Sequence, residues 1–219
     1  MRDADSPDDT PPTGPTSTGP TSTGPTSTRT PRAEVRERLL AAGAATFAEL
    51  GVHEARLDDV AARAGFSKGA VYSNFSSKED LVAQVMQRAT NLVLGALDDL
   101  VDPDVTATDI GDVVRTAFGR HDQREQFALL SEFRGYATRH PEFMPEFVRQ
   151  RRVLQDGVER LVSLWFGAHP EVDPGMPLDV LSQALIATNV GLVFDTPALD
   201  AVDPGEVVAA LVEAVIRRR

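Results

Sequence analysis

The residues of this chain best suited to chemistry fall in one stretch, Gly65-Phe66-Ser67-Lys68-Gly69-Ala70-Val71-Tyr72-Ser73-Asn74-Phe75, with Lys78 just beyond it. Two chemistries fit them. Gly65-Phe66-Ser67-Lys68-Gly69 matches the G-x-S-x-G elbow that presents a nucleophilic serine. Lys68, Tyr72, Ser73 and Asn74 instead offer an ammonium, a phenol, a hydroxyl and an amide, groups that meet phosphates and base edges. The elbow requires a buried strand before it, so that the serine stands on a strained strand-to-helix turn. The preceding residues place Val60, Ala61 and Ala64 at helical spacing instead. Ser67 then reads as a helix cap, and a hydrolase using Ser67 is disfavoured.

The elements needed to hold these groups are legible around them. Gly65 can take the positive φ that stops one helix and turns the chain. Ser67 is a good N-cap for the next helix. Val71 and Phe75 are four apart and bury one face of it, so Tyr72, Ser73 and Asn74 fall off that face beside Lys68. Ala61 is small, as two helices crossing at roughly 90–120° over a short turn require. The pattern is a helix-turn-helix, whose second helix is the one that enters a major groove. Upstream, Thr30 as N-cap and Pro31 at the first helical position open a helix through Val35, Leu39, Gly43, Phe47 and Leu50, which Gly51 ends. Downstream, Ser76 with Glu79 fits a capping box. The helix that follows carries Leu81, Val82, Val85, Met86, Ala89, Leu92, Val93, Leu97 and Leu100 and ends near Pro103.

Composition sets the outer limits. The chain has 219 residues, 42% of them hydrophobic, no cysteine and a net charge of −11. The absence of cysteine excludes disulfides and thiolate metal sites. No apolar run approaches the roughly 18 residues of a membrane span, and the acidic, polar N-terminus does not read as a signal peptide. The chain is expected to be cytoplasmic, with no membrane contact and no cofactor or metal. An acidic chain is a poor match for nucleic acid, but the charge is uneven. Residues 29–88 carry nine basic against eight acidic side chains, whereas residues 89–219 carry 12 against 21. Gly-Pro-Thr-Ser-Thr recurs at 14–18, 19–23 and 24–28. Such repeats have nothing to bury, so residues 1–28 read as a disordered tail.

From 104 onward the pattern is helical throughout. Segments at about 107–121, 122–139 and 141–166 are followed by a break at Pro170, Pro174 and Pro177. A strongly apolar helix at about 177–194 comes next. Asp203-Pro204-Gly205-Glu206 then supplies a cap, a first-position proline and a capping glutamate for a last helix, with Arg217, Arg218 and Arg219 completing its C-terminus. The expected class is all-α, with about nine helices. His121, His140 and His169 are too scattered for a metal site. Phe118, Phe133, Phe147 and Trp165, with the polar Arg134 and Asn189 on otherwise apolar helices, are candidates to line a pocket for an apolar or amphipathic small-molecule ligand. Small Ala184, Ala187 and Gly191, and Ala209, Ala210 and Ala214, would let the helices at about 177–194 and 204–217 form a homodimer interface.

The blocks Arg38-Leu39-Leu40-Ala41-Ala42, Phe47-Ala48-Glu49-Leu50-Gly51, Val60 to Phe75 and Ser77-Lys78-Glu79-Asp80-Leu81 together resemble the N-terminal domain of the TetR family of bacterial transcriptional regulators. The resemblance covers about residues 32–85. It implies a helix-turn-helix DNA-binding domain at 29–76 and a helical ligand-binding and dimerisation domain at 77–219. It also implies a homodimer on a near-palindromic double-stranded DNA operator, with residues 68–75 as the recognition helix. Lys68, Gly69, Tyr72, Ser73 and Asn74 match positions that approach bases or phosphates, and Tyr72 and Lys78 match positions that hold the backbone. Ser67, at the helix start, joins this set. Where the family often has Thr or Ser at the start of the second helix, this chain has Ala55-Arg56, and Arg56 replaces a hydroxyl contact by charge. The implied function is a repressor released from its operator by a ligand. The alternatives are a regulator without a small-molecule ligand, or an activator.

Overall fold

The computed structural model describes residues 31–98, 110–119, 121–199 and 203–218. The repeat tail and the cap expected at Thr30 lie outside these residues. Helix α1 (Arg32–Glu54) is broken at Gly51, whose φ of 77° and ψ of 152° are not helical. Then come α2 (Leu57–Ala64), α3 (Lys68–Asn74), α4 (Lys78–Asp98), α5 (Ile110–Gly119) and α6 (His121–Arg139). A 3-10 turn at Pro141–Phe143 leads into α7 (Met144–Ala168), followed by β1 (Val172–Asp173), α8 (Leu178–Leu199), α9 (Pro204–Val215) and β2 (Arg217–Arg218). The described residues thus hold nine α-helices, as the apolar periodicity predicts.

Two buried clusters organise the described residues from Arg32 onward. The first joins Leu39 and Phe47 of α1, Val60 and Ala61 of α2, Val71 of α3, Phe75, and Leu81 to Ala89 of α4. Leu129, Phe133, Tyr136 and Ala137 of α6 complete it together with Phe143. The second gathers Val93 and Leu97 of α4, Phe127 of α6, and the inner faces of α5, α7, α8 and α9. Helices α4 and α6 therefore run through both.

Some local expectations shift. The cap of α4 moves by one residue from Ser76 and Glu79. Ser77 Oγ accepts from the Asp80 N–H at 3.2 Å, and the Asp80 carboxylate accepts from the Ser76 N–H at 2.8 Å. At α9, Asp203 caps as expected, accepting from the Gly205 N–H at 2.8 Å. Glu206, however, reaches Arg115 at 3.0 Å instead of capping. Ala209 is fully buried within this chain, so it serves the contact of α9 inside the chain and is not available to a second copy. Gly205 makes the α5–α9 approach possible: a Cβ there would lie 2.5 Å from the Arg115 carbonyl oxygen. Arg217 and Arg218 do not extend α9, because the helix ends at Val215; Arg219 lies outside the described residues. Asp173 and Val172 pair antiparallel with Arg217 and Arg218 instead. No helix among the described residues is long and apolar enough to cross a membrane.

Candidate nucleic-acid interface

The turn between α2 and α3 is built by local chemistry. Gly65 sits at φ 71°, ψ 29°, the left-handed conformation that suits glycine. Its N–H bonds the Ala62 carbonyl at 3.2 Å, and the Phe66 N–H reaches back to Ala61 at 3.0 Å. This paired arrangement satisfies carbonyls that a helix end leaves open. Ser67 follows in extended conformation, and its hydroxyl accepts from the Ala70 N–H at 3.3 Å. A helix, not a strand, precedes Ser67, so the nucleophile-elbow geometry is absent.

Val71 and Phe75 anchor α3, at 0% and 1% exposure. The opposite face carries Ser67, Lys68, Gly69, Tyr72 and Ser73, all exposed, with Tyr72 at 57%. Lys68 Nζ lies 2.5 Å from the Asp58 carboxylate of α2, and the hydrogen bond to Asp58 raises its pKa. Arg56 is exposed at the start of α2. Its backbone N–H is satisfied by the Asp59 carboxylate at 2.9 Å, so α2 is capped without the missing hydroxyl.

Two of the expected residues face elsewhere. Asn74 is half-buried and donates its amide to the Ala70 carbonyl at 2.8 Å, while its Oδ1 is buried without a partner. It braces the last turn of α3 rather than standing outward. Lys78 donates to the His53 carbonyl at 2.7 Å, and burial lowers its pKa. It ties the start of α4 to the end of α1. Three arginines of α1 do work the motif does not announce. Arg32 donates to the Ser73 carbonyl at 3.2 Å, Arg36 lies over the Phe75 ring, and Arg38 lies over Phe66 while bonding the Ala64 carbonyl at 3.2 Å. Arg32 and Arg36, four apart, share one face of α1, which is the available signal for that pair; Arg38 lies about 200° round the helix from Arg36.

The candidate pocket residues divide among several places. Phe118 and Trp165 line a small apolar cavity of about 60 Å³ between α4, α5, α7, α8 and α9. Arg134 and Phe147 line a larger one of about 310 Å³ between α4, α6, α7 and α8. Phe133 is in neither of these cavities; it is fully buried in the first cluster, edge-on to Phe47. Asn189 is 1% exposed, with both amide atoms buried and unpartnered. Such orphans are rare, and a polar atom brought by water or a ligand would satisfy them. Gln150 and Arg151 also line the larger cavity. They lie on the stripe set by Phe147 and Leu154, three and four residues on from Phe147. Among the described residues, no cluster of side chains could hold a metal ion.

A capped, exposed second helix crossing a first over a glycine turn, mounted on a helical body, defines a helix-turn-helix protein. Residues 39–85 match the family described as "Bacterial regulatory proteins, tetR family". Over these residues the chain is similar to TetR-family regulators, and the relatives it matches there are transcription regulators by name. It is 47% identical over 68 residues to the HTH-type transcriptional activator FasR of Mycolicibacterium smegmatis, covering 31% of each chain. It is 39% identical over 57 residues to the HTH-type transcriptional repressor BepR of Brucella suis, covering 26% of this chain and 27% of that one. These matches span about a third of the curated relatives' length at most. The likeness in fold runs further. The reduced form of NemR from E. coli superposes with a TM-score of 0.67 over 84% of this chain and 98% of that one, at 18% identity.

Proposed function

We propose that the protein is a sequence-specific DNA-binding transcriptional regulator that acts as a homodimer on a near-palindromic operator. The observation that carries this reading is α3, a capped helix in the family-matched segment whose exposed face holds Lys68, Gly69, Tyr72 and Ser73. In this reading Tyr72 and Ser67 donate to phosphates and fix the docking, and Gly69 lets the backbone come close. Lys68 and Ser73 face the base edges. Arg56 meets the backbone at the start of α2. Asn74 and Lys78 support the site from within. The two recognition helices of a dimer would sit about 34–36 Å apart, one DNA turn.

Exposed apolar side chains on α8 and α9, Val180 at 49% and Leu211 at 50%, with exposed Ala184, Ala187, Ala210 and Ala214, support dimerisation through these helices. The cavities of the helical body support control by an apolar or amphipathic ligand. A ligand that binds better to a dimer with a different half-site spacing releases the operator by that difference in affinity. This makes the protein a repressor. An operator placed to recruit polymerase would make the same head an activator, and the names of the relatives include both. The test is selection of bound fragments from random DNA with purified protein, followed by operator titration. A palindromic consensus protected by the dimer is the expected result; absence of any enriched sequence would overturn the reading.

A further inference from the structure

The larger cavity is unusual in its charge. Arg151 is half-buried on α7, and its guanidinium donates to two neutral amide oxygens, Gln155 Oε1 at 3.3 Å and Gln183 Oε1 at 3.2 Å. Arg134, itself exposed, borders the same space from α6, so only Arg151 is withdrawn from water. Neither guanidinium meets a carboxylate among the described residues. The acid at hand, Glu146, is taken by Arg149 at 2.6 and 2.9 Å and by buried Gln150 at 3.2 Å. Residues 89–219 hold 21 acidic against 12 basic side chains, so two unpaired arginines on one cavity run against the composition around them. A cation withdrawn from water without a counter-charge is costly, and burial opposes the charge of Arg151. Met86, Leu130, Phe147, Leu154, Ile186 and Val190 give the wall an apolar side, beside the polar Thr90, Ser131, Gln150 and Gln183. The volume of about 310 Å³ falls at the lower end of ordinary ligand sites, roughly 300–1,000 Å³.

We propose that this cavity takes an amphipathic anion, with a carboxylate head on Arg151 and Arg134 and a hydrocarbon tail along the Met86–Phe147–Ile186 wall. The inference rests on the ligand-responsive reading above and specifies the class of ligand. Guanidinium forms paired, charge-assisted hydrogen bonds with a carboxylate that an alcohol cannot match. An ammonium head would be repelled by both arginines.

The experiment is calorimetric titration of the full chain with submicellar dodecanoate, 1-dodecanol and dodecylammonium. Dodecanoate should bind at least about tenfold more tightly than the alcohol, and the amine should bind weakest. Arg151→Gln should bring dodecanoate down to the affinity of dodecanol while dodecanol binding persists, which shows the cavity intact. Arg151→Lys should recover part of the loss. Alcohol or amine binding as tight as dodecanoate, or dodecanoate binding unchanged in Arg151→Gln, overturns the charge assignment alone. Binding of none of the three overturns the assignment and the ligand-responsive reading together, while operator selection still judges the DNA-binding reading by itself.

Discussion

Ser67 offers a test in which stability and DNA affinity move in different orders. Its hydroxyl oxygen accepts from the Ala70 N–H at 3.3 Å and starts a helix of seven residues. Ser67→Ala removes the cap at a cost of about 1 kcal/mol. For a chain of this size that lowers Tm by about 2–4 °C. Ser67→Asp keeps an acceptor in place and adds a negative charge at the helix start, worth about 0.3–1 kcal/mol. Its Tm should therefore stay level or rise by about 1–4 °C. Affinity responds differently, because the serine proton is left to donate to a phosphate. Losing that neutral bond in the alanine variant costs about 0.5–1.5 kcal/mol, or about two- to tenfold. The aspartate loses it too and sets a carboxylate among phosphates. At about 6 Å in water the repulsion adds roughly 0.7 kcal/mol, a further threefold. Scanning calorimetry should rank the chains Asp, Ser, Ala from most to least stable. Fluorescence anisotropy with the selected operator should rank them Ser, Ala, Asp from tightest to weakest, with the aspartate deficit shrinking as salt rises. If the aspartate chain is both the most stable and the tightest binder, Ser67 does not face DNA.

Tyr72→Ala removes a side chain that is 57% exposed, so Tm should change little while affinity falls alike for operator and random DNA in anisotropy titrations. Asp58→Asn releases the ammonium of Lys68, held at 2.5 Å, into the groove beside the base edges; one added cation there displaces about one counterion and steepens the slope of log K against log salt by about 0.9. Between about 50 and 200 mM salt the variant should then lose about 3.5 times more affinity than the parent, and an unchanged slope would show that Lys68 gains no contact. Gly205→Ala places a Cβ 2.5 Å from the Arg115 carbonyl, so a stability loss of about 1–3 kcal/mol is expected by urea unfolding. Burial pushes the Asp80 carboxyl up, but bonds from the Ser76 N–H, the Gln84 amide and the Ser76 hydroxyl hold it below its ordinary pKa. Its stabilisation is thus present above that ordinary value and lost as pH falls through the depressed one. The stability gap between the parent and Asp80→Asn should narrow as pH drops from about 6 to about 3.

What was legible in the sequence was chiefly local. Gly65 and Ser67 act within a few residues of themselves, so their types alone predict the turn and the cap. The cap of α4 slipped by one because Ser76-Ser77-Lys78-Glu79-Asp80 contains two overlapping frames, and only the packing of the helix start selects Ser77 with Asp80. Glu206 was drawn away by Arg115, 91 positions distant in the chain. Alanine in a helix says nothing about which neighbour it permits, so Ala209 could be assigned to another copy when it packs inside this one. Phe133 and Arg134 adjoin in sequence but lie about 100° apart around α6, which sends one to the first buried cluster and the other to the cavity. The pairing of β1 with β2 is two residues long and leaves no period to read. Arg151 was missed although its place on an apolar stripe singles it out by the same rule that flagged Asn189.

The passage of α4 and α6 through both buried clusters bears on how such a head can be transplanted. The family match ends at Val85, yet the first cluster continues to Ala89 and takes in Phe133, Tyr136 and Phe143. A fragment cut at the end of α3 would leave those surfaces bare and is not a self-sufficient folding unit. Heating the whole chain should therefore give one cooperative transition, not separate melting of head and body. Exchange of a head between relatives would have to carry matching surfaces on α4 and α6, so the unit of inheritance visible as similarity is smaller than the unit that folds.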